Sequence, residues 1–247
     1  MSTLSEIEGL IARVGLGDRR AFPMLYDATS AKLFGVCLRI LNNRAEAEDA
    51  LQEVFVRIWQ KSDSYAVNGY SPMTWLITLT RNLAIDKLRA RKATAVDIDE
   101  VHDLRDGGST PEAAAIAASD RKQINACLDE LDMNPAEAVK GAYLEGYSYQ
   151  ELSTQYDVPL NTMRTWLRRS LLKLKSVSEP MRMQEDHSDD AALAGEYALH
   201  LLDADERRSF EERLAAEPIL RRLVATWEEQ LAPLSEDVAP VTSPGPD

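Results

Sequence analysis

Apolar residues recur at three- and four-residue spacing almost without a break across residues 6–91, the period of helices that turn one face to a core. Ala21, Leu25, Leu33, Val36, Cys37 and Ile40 mark one such face, and Ala50, Val54, Ile58 and Trp59 mark a second. Asn42-Asn43 separates the two, and Glu46, Glu48 and Asp49 place acid in the first turn of the second helix, where the helix dipole favours it. Residues 62–72 (SDSYAVNGYSP) have loop composition, and Pro72 is a start signal for a further helix over 73–91.

The pattern then changes. Asp97, Asp99, Glu100, Asp103 and Asp106 run into Gly107-Gly108-Ser109-Thr110-Pro111, an acidic flexible linker. Helical periodicity resumes over 121–177, lapses over 178–190 and returns over 191–234, before a Pro-rich end (PVTSPGPD) expected to be disordered. The expected fold is therefore all-α. Its divisions are a helical unit at 1–92, a linker at 93–120, a second unit at 121–177, a linker at 178–190, a third unit at 191–234 and a tail at 235–247.

Composition narrows the class. Aromatics are 6% and Gly and Pro 11 each in 247 residues, which suits a helical protein without repeats. No eighteen-residue apolar run exists, so no membrane segment is expected, and residues 1–10 lack a signal-peptide pattern. Cys37 and Cys127 lie far apart within apolar helical patterns and read as buried thiols in a reducing cytoplasm. His102, His187 and His200 gather no nucleophile or carboxylate constellation, so neither an enzyme nor a cofactor is expected.

The net charge of -13 opposes binding to phosphate until its distribution is considered. Residues 181–247 alone hold 16 Asp and Glu against 6 Arg, giving -10. Positive charge instead clusters at Arg81, Lys87, Arg89, Arg91 and Lys92, and at Arg164, Arg168, Arg169, Lys173 and Lys175.

The second cluster lies in a pattern with the shape of a helix-turn-helix. A short helix over 149–156 begins at Ser148 or Tyr149, with Leu152 on its buried face. Val158 packs in the turn, and a second helix over 161–175 is capped by Asn161 or Thr162. Met163, Trp166, Leu167, Leu171 and Leu174 form its apolar stripe, and Arg164, Arg168 and Lys175 lie opposite, with Thr165 and Arg169 beside them. Such a helix fits a DNA major groove, although an amphipathic helix with a solvated basic face has the same pattern.

Three ordered motifs resolve this choice by resemblance. Residues 44–59 (RAEAEDALQEVFVRIW), 72–91 (PMTWLITLTRNLAIDKLRAR) and 143–175 resemble, in turn, the polymerase-binding helix, the promoter-melting segment and the -35-binding region of extracytoplasmic-function sigma factors of the sigma-70 family. The similarity covers about residues 15–176, and RTWLRR at 164–169 is most similar to the sigma-K-like branch. The sequence departs from the family at Asn161, where Gly is usual, and in carrying Pro135 and Glu137 ahead of the motif.

The resemblance implies three surfaces. Asp49, Gln52, Glu53 and Val56 would dock core RNA polymerase; Tyr65, Asn68, Arg81, Asn82, Asp86 and Arg89 would handle the -10 element; Thr162, Arg164, Thr165, Arg168 and Arg169 would read the -35 element. Trp75 suits core packing better than base contact, and Asp86 could equally pair internally with Arg81 or Arg89.

Residues 191–234 resemble the N-terminal domain of sigma-K-type anti-sigma factors, through AGEYALHLLDADERRSFEERLA. The resemblance implies an intrachain inhibitor, with Tyr197, Leu201, Leu202, Phe210 and Trp227 as contact residues. Related domains bind zinc through His and Cys, but no Cys follows Cys127, so a metal-free domain is expected. The expected function is a promoter-specificity factor held inactive by its attached anti-sigma domain. The alternative is a helix-turn-helix regulator that does not load polymerase and carries an acidic interaction domain.

Overall fold

The computed structural model describes residues 3–65, 71–95, 133–178 and 188–245. All regular structure among them is helical, and the chain divides into two compact units, residues 1–111 with 235–247, and residues 112–234. No helix among the described residues is long and apolar enough to cross a membrane.

The first unit holds α1 (Leu4–Gly15), α2 (Ala21–Leu41), α3 (Arg44–Lys61) and α4 (Pro72–Ala95). Thr3 starts α1 with a capping box to Glu6. Asn42, at φ 50°, ends α2 in the left-handed conformation that Asn tolerates, and the Asn43 side chain caps α3 by accepting the Glu46 N–H. The Asn-Asn pair thus both stops one helix and starts the next. Leu25, Leu33, Phe34, Leu51, Ile58, Leu76 and Leu83 fill the core between α2, α3 and α4. Cys37 is fully buried there, and burial pushes its thiol up to about 12, against a smaller downward pull from Lys87. Cys127 lies outside the described residues.

Residues 238–245 also belong to this unit, where they run along α2. The tail expected to be disordered is therefore placed. Its Pro residues limit the entropy lost on ordering, and Val238 is buried against the helix.

The second unit holds α5 (Met133–Lys140), a π-helical turn (Gly141–Glu145), α6 (Tyr149–Gln155), α7 (Leu160–Ser178), α8 (Ser188–Ala198), α9 (Ala204–Ala216) and α10 (Pro218–Leu231). Ser148 and Glu151 make a capping box at α6, and Asp203 with Glu206 makes another at α9. The turn before α7 takes its positive φ at Asp157 (51°). Asn161 therefore stands inside the helix, which starts at Leu160, one to two residues ahead of the expected cap.

The main departure from the sequence reading lies in the core. The units expected at 121–177 and 191–234 share one apolar cluster. Met163, Leu167 and Leu171 of α7 and Ala194, Phe210, Leu220 and Trp227 of the C-terminal helices are buried in it together. The physical reason is that α7 is an amphipathic helix whose stripe is wider than α5 and α6 can cover. The remainder of the stripe is covered by α8.

Candidate functional site

On α3, Asp49, Gln52 and Val56 are exposed along one face, Val56 with 53% of its surface open. Glu53 is half-buried on the same face, held by Arg57 at 2.8 Å and by Lys87 of α4 at 2.9 Å. The hydrogen bond from Lys87, then that from Arg57, keeps the Glu53 carboxyl below its ordinary range despite some desolvation. Trp59, one turn beyond Val56, is also exposed and meets Phe22 edge to face at 5.5 Å. Sequence reasoning assigned Trp59 to the core because it falls on the apolar period. The structure places it at the rim, beside the face with Val56.

On α4, Asn82, Asp86 and Arg89 are partly exposed and spaced to share a stripe. Arg81 is 2% exposed and faces the interior. Tyr65 is buried with its ring 5.5 Å from that of Trp75, itself buried as expected for a packing residue. The six -10 candidates thus separate. Three share a surface, Tyr65 and Arg81 are buried, and Asn68 lies outside the described residues.

On α7, Arg164, Thr165 and Arg169 are exposed, and Thr162 and Arg168 partly so. Thr165 donates its hydroxyl to the Asn161 carbonyl at 2.8 Å. Lys175 has its side chain outside the described residues. The two arginines on this face meet acids from the C-terminal helices. Arg168 pairs with Asp189 at 2.7 Å and with Glu196 at 3.4 Å, both on α8. Arg164 lies over the Tyr149 ring, 5.1 Å from its centre, and reaches Glu206 of α9 at 3.5 Å.

Glu196 is the most enclosed of these acids, its side chain 13% exposed. Burial raises its carboxyl above the ordinary range and outweighs the opposing pull of Arg168 and the Tyr149 hydroxyl, while Glu206 adds to the rise. Burial likewise pushes the Tyr149 phenol well up.

Gly195 allows the approach. A Cβ there would stand 3.0 Å from the Trp227 ring and 3.1 Å from both Leu171 methyls, so a larger residue would make these side chains give way for α8 to keep its distance from α7.

Among the anti-sigma candidates, Leu201, Leu202, Phe210 and Trp227 are buried in the shared cluster, and Tyr197 is half-buried with its ring 4.8 Å from Phe210. Trp227 donates its indole N–H to the Ala191 carbonyl at 2.7 Å. The polar contacts to the helix-turn-helix instead come from Asp189, Glu196 and Glu206, which sequence reasoning did not single out. The available signal was Asp189 and Glu196 seven residues apart, two turns along one helix face. Among the described residues no group of three or more His, Cys, Asp or Glu could hold a metal ion.

Comparison with known proteins agrees with this geometry. Residues 25–94 match the family described as sigma-70 region 2, and residues 121–174 match sigma-70 region 4. The ECF RNA polymerase sigma factor SigK of Mycobacterium ulcerans (strain Agy99) is 28% identical over 179 residues, covering 69% of this chain and 92% of that protein. SigK of Mycobacterium tuberculosis (strain ATCC 25618 / H37Rv) is 26% identical over 179 residues, covering 70% and 93%. SigK of Mycobacterium sp. (strain KMS) is 27% identical over 184 residues, covering 70% and 90%. Region 2 thus falls on α2 to α4 and region 4 on the helix-turn-helix, in the order the two surfaces require, and the chain belongs to the sigma-70 family as a sigma factor of the extracytoplasmic-function type.

Proposed function

We propose that this sigma factor is held inactive by its own C-terminal segment, residues 188–234, which acts as an attached anti-sigma domain. In the active state the exposed face of α3 (Asp49, Gln52, Glu53, Val56) docks core polymerase. The α4 stripe (Asn82, Asp86, Arg89) meets the opened -10 strand, and Thr162, Arg164, Thr165, Arg168 and Arg169 meet the -35 duplex. The chain works in the cytoplasm, where polymerase is.

The observation that carries this reading is the pair of carboxylates on Arg168. Two acids occupy a guanidinium that promoter phosphate would otherwise take, and Glu206 does the same at Arg164. A charge-bearing surface of opposite sign is what competes with DNA.

The test is promoter-dependent run-off transcription with core polymerase, comparing the unmodified chain with Asp189→Lys/Glu196→Lys. Reversing both charges removes both carboxylates from Arg168 and sets three cations together, opposing the hold of α8 on α7. The double variant should initiate at least about tenfold better, the scale of a small coupling free energy. If it loads on core polymerase yet initiates no better, the C-terminal segment is not an inhibitor. If neither form loads, the chain is instead a helix-turn-helix regulator with an acidic interaction domain.

A further inference from the structure

In the first unit, residues 238–244 lie against α2 through main-chain contacts. The Val241 N–H donates to the Ala31 carbonyl at 2.9 Å, and Lys32 donates its ammonium to the Val238 carbonyl at 2.7 Å. The hydroxyls of Ser30 and Ser243 are 2.9 Å apart, and the Tyr26 hydroxyl donates to the Pro244 carbonyl. The contacts follow one side of α2 for some two turns, with chain and helix running in opposite directions.

The Ala31 carbonyl lies in mid-helix. To accept a second N–H it must be approached past the side chain four residues on, and that residue is Gly35. A Cβ at Gly35 would stand 2.4 Å from the Ala239 carbonyl oxygen and 3.3 Å from a Val238 methyl. The first of these neighbours is backbone and cannot rotate away. Glycine is otherwise a poor choice for the interior of a 21-residue helix.

We infer that α2 carries a peptide-docking groove floored by Gly35, and that its occupant is the chain's own segment 238–244. The groove reads an extended backbone, since three of its four contacts go to main-chain groups of the tail. Pro240 and Pro244 suit that role because their fixed φ leaves the segment already near extended in the free state. The inhibitory consequence, unlike the groove, rests on the function proposed above. A C-terminal segment anchored on α2 as well as on α7 rebinds at high effective concentration when one anchor lets go. Reversing the charges on α8 alone then yields only part of the available activity.

Amide hydrogen exchange on the full chain tests the groove directly. In the unmodified chain the Val241 amide should be protected. Gly35→Ala, which preserves helix, and Val241→Pro, which removes the donor from the tail side, should each raise exchange over 238–245 by about tenfold or more. A tail that exchanges freely in the unmodified chain, or that stays protected in both variants, overturns the groove. For the consequence, Gly35→Ala is added to Asp189→Lys/Glu196→Lys and run-off transcription is repeated. A further rise of about tenfold supports a second anchor. A freed tail with no added initiation removes the regulatory role and leaves the groove standing. Failure of the α8 variants alone is read separately, as failure of the proposed inhibition.

Discussion

Glu196 and Glu53 are two partly buried glutamates paired with cations, and their carboxyls are displaced in opposite directions. At Glu196 desolvation wins. Its folded form holds the proton more tightly than the unfolded chain does, so that contribution to stability is fully present below the ordinary value of 4.5 and is lost as pH rises through the raised one. At Glu53 hydrogen bonds from Lys87 and Arg57 win. Its contribution is present above 4.5 and is lost as pH falls through the lowered value. The folded second unit should therefore gain stability on mild acidification, and Glu196→Gln should flatten that dependence. In the first unit Glu53→Gln should remove a loss seen at lower pH. Urea titrations across pH 3–7, an approximate span bracketing both carboxyls, check each sign. Asp189 stands apart from both. Its side chain is 92% exposed, so Asp189→Ala should change unfolding stability by less than ~1 kcal/mol even though it weakens the hold on Arg168.

At the scale of elements, two glycines set how closely helices and chain approach. Gly195 lets α8 lie on Leu171 and Trp227, and Gly195→Val would overpack that contact. A cost of ~1–3 kcal/mol to the second unit is expected, read by denaturant unfolding, with a red shift of Trp227 emission as α8 lifts away. Gly35→Ala should behave differently. It adds helix propensity worth ~0.5–1 kcal/mol while ejecting the tail, so the first unit should unfold at nearly its original denaturant concentration. Both positions carried a signal in the sequence, a glycine where the helical period allowed a better helix former. What the sequence withheld was the neighbour responsible, because a Cβ clash is a property of two segments far apart along the chain. The helix starts were easier to read. Asn43, Ser148 and Asp203 act through residues two or three places on, within reach of local pattern.

For the whole molecule, the consequence lies in the shared core of 133–234. Apolar burial holds the C-terminal helices to the helix-turn-helix, and the ion pairs with Arg164 and Arg168 give that contact its bearing on DNA. An engineered protease site within 179–187 should therefore cut the chain without separating the pieces. Size-exclusion chromatography should still show one species, and raised salt should not release the C-terminal piece, since screening acts on the exposed pairs and not on the core.

The all-α class, the order of the region 2 and region 4 segments and the apolar stripe of α7 were legible in the sequence, because helical period, cap residues and motif spacing are encoded within a few turns. The exposed face of α3 was legible for the same reason. Burial of Arg81 and Tyr65, the rim position of Trp59, the acids that meet Arg168 and the course of the tail were decided by tertiary packing. Each depends on which surface comes to lie against which, and a periodic pattern shows that a face is apolar or charged without showing what covers it. Sequence alone thus determined that this chain is built to direct transcription initiation. Only the folded structure placed the carboxylates of α8 and α9 on the arginines of the helix-turn-helix and residues 238–244 on α2.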